Sequence, residues 1–366
     1  MHLHLISITV SMSILSATWF DKIPRIIRQP DGEILECFIS GDQYLRRLHD
    51  INNFTIVHDK EDGFFYYAQK DSYGSLIPST IIAGRGNPQS IGLQPGYSLS
   101  KEDYNRKKQF YHQEELIRNN RDAPNTGEIN QINVFIRFAD DPEFPDDRST
   151  YGEIFETEYD EPSLKHYFSE ISHDRLTINT LHFPGSLDGS NASYVDSHER
   201  SYYQPYSAAN SNGYQSQSDR FLREHSLVAN ALNSISQSVP SSVDLDLDDN
   251  GFVDAVSIVV YGTQGAWADL LWPHRTALFN EEVYINGAQV YDYLFMLSES
   301  WYYNVGVLCH EFGHVLGAPD YYHYSAGSGP TPVGYWDVMG SVRNPPQYPS
   351  AFTKWKYFNW IEPIEI

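Results

Sequence analysis

The spacing of apolar residues along the chain changes near residue 130. Before that point, short runs such as EILECFISGD, FTIVHD and FFYYAQ alternate apolar and polar positions and are separated by Asp-Gly and Gly-Asp pairs. Alternation with a period of two, bounded by turn residues, is typical of β-strands joined by tight turns. Residues 20–100 are therefore predicted to form a small β-rich domain.

Residues 127–366 show strand patterns that alternate with helix patterns. The runs INVFIRFAD, RLTINTLHF and DAVSIVVYG are typical of buried strands, whereas residues 161–172 and 218–236 carry apolar side chains at helical spacing. An Asn286-Gly287 pair between apolar stretches predicts a β-hairpin. This alternation predicts a second domain of the α/β or α+β class.

Two further segments flank the β-rich domain. Residues 1–19 contain an apolar stretch followed by small residues, which is typical of a secretory signal peptide, although no Lys or Arg precedes it. Residues 101–126 are highly charged with a helical pattern and end in DAPNTGE, which predicts a linker. We expect a secreted chain without stable membrane insertion once the signal is removed.

Composition narrows the range of partners. The formal net charge is −23 over 366 residues, so the chain lacks the basic surface that neutralises phosphates, and no nucleic-acid partner is expected.

Cys37 and Cys309 are too few for a disulfide framework. We interpret Cys37 as a buried small apolar residue rather than as a thiolate that binds a metal.

The stretch LCHEFGHVLGAPDYYHY, residues 308–324, carries the strongest chemical signal. His310 and His314 are four residues apart, so on a helix over residues 300–317 their side chains lie on one face, one turn apart. Glu311 lies beside the first histidine, near a bound metal but free to act on a water. The pattern predicts two Zn²⁺ ligands and a general base.

The chain leaves this helix in a way that can supply a third ligand. Gly317 suits a helix end that needs positive φ, and Pro319 prevents the helix from continuing. Asp320 follows, where a turn of the chain brings a carboxylate back towards the metal. His323 is the alternative third ligand.

These motifs resemble those of the M6 peptidases, the immune inhibitor A-like family of secreted zinc metallopeptidases. The resemblance covers most of the chain and includes HEFGHVLGAPDYY, the methionine turn GYWDVMGS, WPH, LDDNGFVDAV and QPDGEILECFISGD. It implies an α+β fold: a metzincin-like catalytic domain with a twisted mixed sheet and an active-site helix, preceded by a propeptide-like domain. It also implies a Zn²⁺ ion bound by His310, His314 and Asp320.

Two positions depart from the family pattern. The family often has an acidic residue where this chain has His323, and a bulky Leu where it has Ala318. The first departure keeps His323 open as a competitor of Asp320. Three other residues near these motifs are candidate substrate contacts, although packing in the core or at the surface is the favoured interpretation of each: His274, Tyr321 and Tyr322.

The expected function is a secreted zinc endopeptidase, made as a zymogen, that acts on protein or peptide substrates, and a monomer is favoured. Zn²⁺ would activate a water, and Glu311 would take its proton as the general base. The alternatives are a non-proteolytic binding protein on a peptidase fold and another zinc amidohydrolase. The intact set of His310, Glu311 and His314 favours the peptidase.

A second acidic motif, DLDLDDNGFVD, predicts a structural Ca²⁺ site. Ser257 stands where an EF-hand loop has its closing Glu, and a strand pattern follows instead of a helix, so we expect a calcium loop without the EF-hand fold. The alternative is an acidic, solvated turn. Five ligand positions match the loop pattern: Asp246, Asp248, Asn250, the carbonyl of Phe252, and Asp254.

Overall fold

The protein, described here as a computed structural model, is built around two β-sheets. The predicted signal peptide, most of the predicted linker and His323 lie outside the described residues. The structure describes residues 20–41, 46–72, 74–98, 123–157, 161–186, 188–263, 273–299, 302–322 and 332–362.

Six antiparallel strands near the N-terminus form the first sheet, each paired with the next along the chain. In the second strand the buried side chains of Leu35, Cys37 and Ile39 alternate with more exposed ones, as expected for a strand with one covered face. The strand predictions for this region are confirmed. The strands are β1 (Phe20–Arg28), β2 (Ile34–Gly41), β3 (Arg46–His49), β4 (Thr55–His58), β5 (Phe65–Lys70) and β6 (Leu76–Ile82).

The second sheet is mixed and has six strands. Its bounds are β7 (Gly127–Arg137), β8 (Leu176–Phe183), β9 (Tyr194–Val195), β10 (Val256–Val260), β11 (His274–Ala277) and β14 (Asp292–Leu297). The order is β11-β14-β10-β7-β8, with β9 also paired to β7. Only β11, at one edge, runs antiparallel to its neighbour. The predicted hairpin is confirmed as β12 (Val283–Ile285) and β13 (Ala288–Val290).

Helices cover both faces of the mixed sheet. Ile129 and Phe135 of β7 share a core with one group of helices, while Ile132 and Val134 share a core with another helix on the opposite face. Because both faces are covered, the strands have the continuous apolar runs seen in the sequence. These layers confirm the α+β prediction. The helices are α1 (Arg148–Gly152), α2 (Leu164–Ser172), α3 (Gln217–Ile235), α4 (Val305–Val315) and α5 (Ala351–Lys356).

Different helices cover the two faces of the mixed sheet. Helices α2 and α4 pack on one face of the mixed sheet, where the rings of Phe168 and Phe312 lie 5.1 Å apart. Helix α3 covers the other face with Leu227, Val228 and Leu232. Within the described residues, no helix has both the length and the apolar character needed to cross a membrane.

Helix α4 carries the predicted metal ligands and is buried along its whole length. It begins after Asn304, whose side chain accepts a hydrogen bond from Val307 N at 3.0 Å, so the helix is shorter than the predicted 300–317. An Asn cap of this kind satisfies a backbone N–H that has no partner within the helix.

Gly306 allows the first turn of α4 to pack directly on another backbone segment. A Cβ at this position would lie 1.9 Å from the carbonyl oxygen of Arg343 and 3.0 Å from Val342 Cγ1. Because the nearest atom belongs to the backbone, a rotamer change cannot relieve the clash. The close approach fixes where α4 lies relative to residues 332–343.

We therefore expect Gly306→Ala to lower the free energy of unfolding by about 3 kcal/mol or more, at or above the usual range for overpacking. Gly185→Ala is the matched control, since a Cβ there meets nothing within 4 Å; its effect should stay within about 0.5 kcal/mol. Urea denaturation of both variants provides the measurement. Equal stability of the two would contradict this account of the packing.

Candidate metal centre

Three side-chain atoms converge at the end of α4. Asp320 Oδ1 lies 3.0 Å from His310 Nε2 and 3.5 Å from His314 Nε2, and the two Nε2 atoms are 3.2 Å apart. Ligand atoms about 2.0–2.1 Å from a tetrahedral zinc are roughly 3.3 Å from one another. The spacing and chemistry of this set therefore fit one Zn²⁺ ion.

The other ring nitrogen of each histidine is held by a backbone carbonyl. His310 Nδ1 lies 2.8 Å from the oxygen of Val338, and His314 Nδ1 lies 2.7 Å from the oxygen of Ala318. A carbonyl oxygen can only accept, so each Nδ1 carries the proton and each Nε2 offers its lone pair to the shared point. The two carbonyls thus select the tautomer that binds a metal.

The local charges favour a cation at this point. Burial acts to lower the pKa of His310, but the hydrogen bond to Asp320 and the charges of Asp320 and Glu311 outweigh it and raise the pKa to about 9. The same negative groups that stabilise a proton here would stabilise a metal ion, which competes with that proton for the nitrogen.

The end of α4 brings His314 and the third candidate ligand together. Gly317 N donates to the carbonyl of His314 and Ala318 N donates to that of Gly313, with Gly317 at φ 90°. This pair of bonds is a Schellman motif, and it confirms the predicted role of Gly317. The turn aims the Ala318 carbonyl back at His314 and directs the chain towards Asp320.

The methionine turn, residues 337–340, lies beside these ligands. Met339 is buried against α4, since a Cβ added at Gly313 would lie 2.6 Å from its Sδ. Its carbonyl accepts from Tyr321 N at 2.8 Å, next to Asp320. The sequence motif identified this turn, but not its bonds to both ligand segments.

Two side chains that support the site were not singled out from the sequence. Asp337 is fully buried at the start of the methionine turn, and Asn304 caps α4. The rule that Asn often precedes a helix could have identified the cap. Asp337 could have been identified because it is an acidic residue inside the otherwise apolar GYWDVMG stretch, and a buried carboxylate needs hydrogen-bond partners.

Glu311, the predicted general base, is fully buried in α4 beside His310. Its charge contributes to the raised pKa of His310, so its carboxylate lies near that histidine. The structure thus brings three of the predicted site residues together, His310, His314 and Asp320, with Glu311 next to His310 on the same helix.

His274 occupies a different part of the fold. It begins the edge strand β11 and stacks on Phe295, on the sheet face covered by α3, with Nε2 2.8 Å from Glu224 Oε1. Helix α4 covers the opposite face. Because only 2% of His274 is exposed, it has no free surface there for a substrate, so we leave it out of the proposed site.

The remaining candidates lie close to the metal ligands in sequence. Tyr321 is half-buried with its hydroxyl 3.2 Å from Thr353 Oγ1, and Tyr322 is buried. His323 lies outside the described residues.

Cys37 is buried in β2, where burial raises the pKa of its thiol to about 12. The raised pKa disfavours the thiolate that a metal would need.

The acidic loop before β10 gathers carboxylates in a second place. Oxygens of Asp246, Asp248 and Asp254 all lie within 4.8 Å of one another. Asp254 is buried, and among the described residues no group hydrogen-bonds to its Oδ1. Burial, with the charges of Asp248, Asp246 and Asp244, raises the pKa of Asp254 to about 7.

The loop itself is held in a tight conformation. Asp246 accepts from the backbone N–H groups of Asn250 and Gly251, both at 2.8 Å, and Asp254 Oδ2 accepts from Leu247 N at 3.0 Å. Asp249 adopts a positive φ of 55°. These bonds turn the side chains at the predicted ligand positions towards a common region.

Sequence comparison identifies the family. Residues 162–344, half of the chain, match the catalytic domain of immune inhibitor A peptidase M6. The chain belongs to the M6 peptidase family. The matched M6 region contains His310, Glu311, His314 and Asp320, and M6 enzymes are metallopeptidases that are typically secreted.

Other comparisons add little to the M6 assignment. The crystal structure of metalloproteinase-II from Bacteroides fragilis aligns over 93% of this chain and 88% of its own, with 10% identity and a TM-score of 0.30. No curated protein matches the chain.

The two candidates for the third M6 metal ligand can be separated by substitution. We expect Asp320→Ala to weaken Zn²⁺ binding more than about 100-fold, beyond the roughly 10–100-fold typical of losing an outer-sphere partner. His323→Ala, the matched control three residues away, should keep the wild-type affinity. Chelator competition measures both, and the reverse ranking would assign the ligand to His323.

Proposed function

We propose that this M6 family member is a zinc-dependent endopeptidase that hydrolyses peptide bonds in protein substrates. The observation that carries the proposal is the convergence of His310 Nε2, His314 Nε2 and Asp320 Oδ1 within 3.0–3.5 Å of one another. With the Nδ1 protons held by backbone carbonyls, this set is prepared to hold Zn²⁺ by two neutral imidazoles and one carboxylate.

The site residues have different roles in the proposed reaction. His310, His314 and Asp320 would hold the zinc, which when bound supplies Lewis acidity for activating water and polarising the scissile carbonyl. Glu311 would accept the proton of the attacking water at its carboxylate and then donate that proton to the leaving amine. Its burial excludes bulk solvent from this proton transfer, which strengthens its interactions with charged groups.

The identity of the general base can be tested at Glu311 alone. We expect Glu311→Gln to retain Zn²⁺ while the rate of casein cleavage falls by a factor of about 10²–10⁴, because the amide cannot accept a proton. Glu153→Gln, at the exposed glutamate that follows α1, serves as the control and should cleave normally. Wild-type turnover by Glu311→Gln would contradict this role.

The same assay separates the alternatives. A wild-type protein that binds zinc without cleaving casein would favour the binding protein or the zinc amidohydrolase. Cleavage that persists after removal of zinc with a chelator would contradict the metal-dependent mechanism itself.

We also propose a structural Ca²⁺ ion in the loop of residues 246–254. Oxygens that share one Ca²⁺ lie 2.3–2.6 Å from it and so at most about 5 Å from each other, consistent with the 4.8 Å limit on the three Asp side chains. The cation would neutralise Asp246, Asp248 and Asp254 and give the buried Asp254 Oδ1 a partner. The Asn250 side chain and the Phe252 carbonyl complete the proposed ligand set.

Removal of calcium should therefore destabilise the protein. We expect Ca²⁺ to raise the melting temperature of the wild type over that in EGTA, and Asp254→Asn to abolish most of this difference. Asp249→Asn is the matched control: it removes one charge from the same loop at a position outside the ligand set, and Asn tolerates its positive φ. An equal loss of the calcium effect in both variants would argue for a general charge effect instead.

From the first third of the chain we infer synthesis as a secreted zymogen. Residues 1–19 would be the signal peptide, 20–100 the propeptide-like domain, 101–126 the linker, and 127–366 a metzincin-like catalytic domain, acting as a monomer. The proposal is supported by contacts of the first sheet with the catalytic region: Arg25 lies over the ring of Tyr302, just before α4, at 5.8 Å. The backbone carbonyl of Lys60 accepts from Ala208 N at 3.1 Å.

A further inference from the structure

Asp337 joins the methionine turn to the start of α5. Its Oδ1 accepts a hydrogen bond from Met339 N at 2.9 Å. Its Oδ2 accepts from Ser350 N at 2.7 Å and from the Thr353 hydroxyl at 2.5 Å. One fully buried carboxylate thus fixes two segments that are separated by ten or more residues in the sequence.

The two residues after Asp337 each hold a part of the metal centre. The carbonyl of Val338 accepts from His310 Nδ1 at 2.8 Å, and the carbonyl of Met339 accepts from Tyr321 N at 2.8 Å, beside Asp320. A shift of this turn would therefore move the acceptor that orients His310 and the segment that presents Asp320. Ligand orientation of this kind has a large effect on metal affinity.

The chemistry at Asp337 requires a carboxylate. Both of its oxygens face donors only: two backbone N–H groups and the hydroxyl of Thr353. An amide in its place would point its NH₂ group either at Met339 N or at Ser350 N and the Thr353 hydroxyl. Buried donors would then face another donor and lack an acceptor. The carboxylate is therefore matched to its position, and the isosteric Asn is not.

We propose that Asp337 is a positioning residue of the metal centre, which acts through the Val338 and Met339 carbonyls to hold His310 and the Asp320 segment in their metal-binding geometry. The inference rests on the proposed function, because it takes the three convergent atoms to be zinc ligands. Asp337 itself does not contact the metal or the substrate; Thr353 supports it from α5.

The first test compares two buried carboxylates. Asp337→Asn should raise the Kd for Zn²⁺ by about 10–100-fold, alter the visible absorption spectrum of the Co²⁺-substituted protein, and lower kcat with KM unchanged. Asp196→Asn is the control: Asp196 is equally buried and accepts from the Tyr203 hydroxyl at 2.9 Å and His198 N at 2.8 Å, without a bond to any ligand segment. It should keep the wild-type Kd and cobalt spectrum even where it lowers stability.

A second pair keeps the proposal testable if Asp337→Asn does not fold. Thr353→Ala removes one donor to Asp337 and should raise the Kd for Zn²⁺ by about 2–10-fold, the worth of a single hydrogen bond. Thr353→Ser restores the hydroxyl and should restore both the Kd and the cobalt spectrum. Rescue by the conservative variant distinguishes positioning from a loss of packing.

The outcomes separate this inference from the proposed function. Wild-type zinc affinity and an unchanged cobalt spectrum in folded Asp337→Asn, or in Thr353→Ala if the first variant is unfolded, would overturn the positioning role alone. A wild-type protein that binds no Zn²⁺ would overturn the proposed function and this inference with it. Weakened zinc binding in Asp337→Asn beside normal binding in Asp196→Asn supports the positioning role.

Discussion

The proposed metal centre depends on two hydrogen bonds that turn the Nε2 atoms of two histidines towards one point. His310 and His314 each donate Nδ1–H to a backbone carbonyl, that of Val338 and that of Ala318. An imidazole has two nitrogens and, when neutral, one proton, so fixing the proton on one side fixes the lone pair on the other. Without these bonds the rings could rotate or change tautomer, and the convergence on Asp320 would be lost.

The fold brings these carbonyls into place from two directions. One comes from the end of α4 itself, where the Schellman turn at Gly317 reverses the chain within a few residues. The other comes from the methionine turn, which approaches closely because Gly313 presents no side chain towards Met339, and Gly306 presents none towards Arg343 just after the turn. The mixed sheet supports the whole arrangement, since α4 packs on the face it shares with α2.

Local parts of this arrangement could be predicted from the sequence, whereas contacts between distant segments could not. The four-residue spacing of His310 and His314, the strand periods and the Gly317 turn depend on nearby residues, and the structure bears them out. The bond from His310 to Val338 joins residues 28 apart, and no local pattern specifies it. The position of His274 could not be predicted for the same reason: its face is set by its register with Phe295 on the neighbouring strand.

The use of main-chain acceptors has a consequence for how the sequence can change over time. The contribution of Ala318 to His314 is a backbone carbonyl, which every amino acid possesses. Substitution of the side chain at such a position leaves the hydrogen bond between the histidine Nδ1 and the carbonyl intact. The constraint falls instead on residues that control the path of the backbone, such as Gly306 and Gly317, so these acceptors depend on chain geometry rather than on the side chains that carry them.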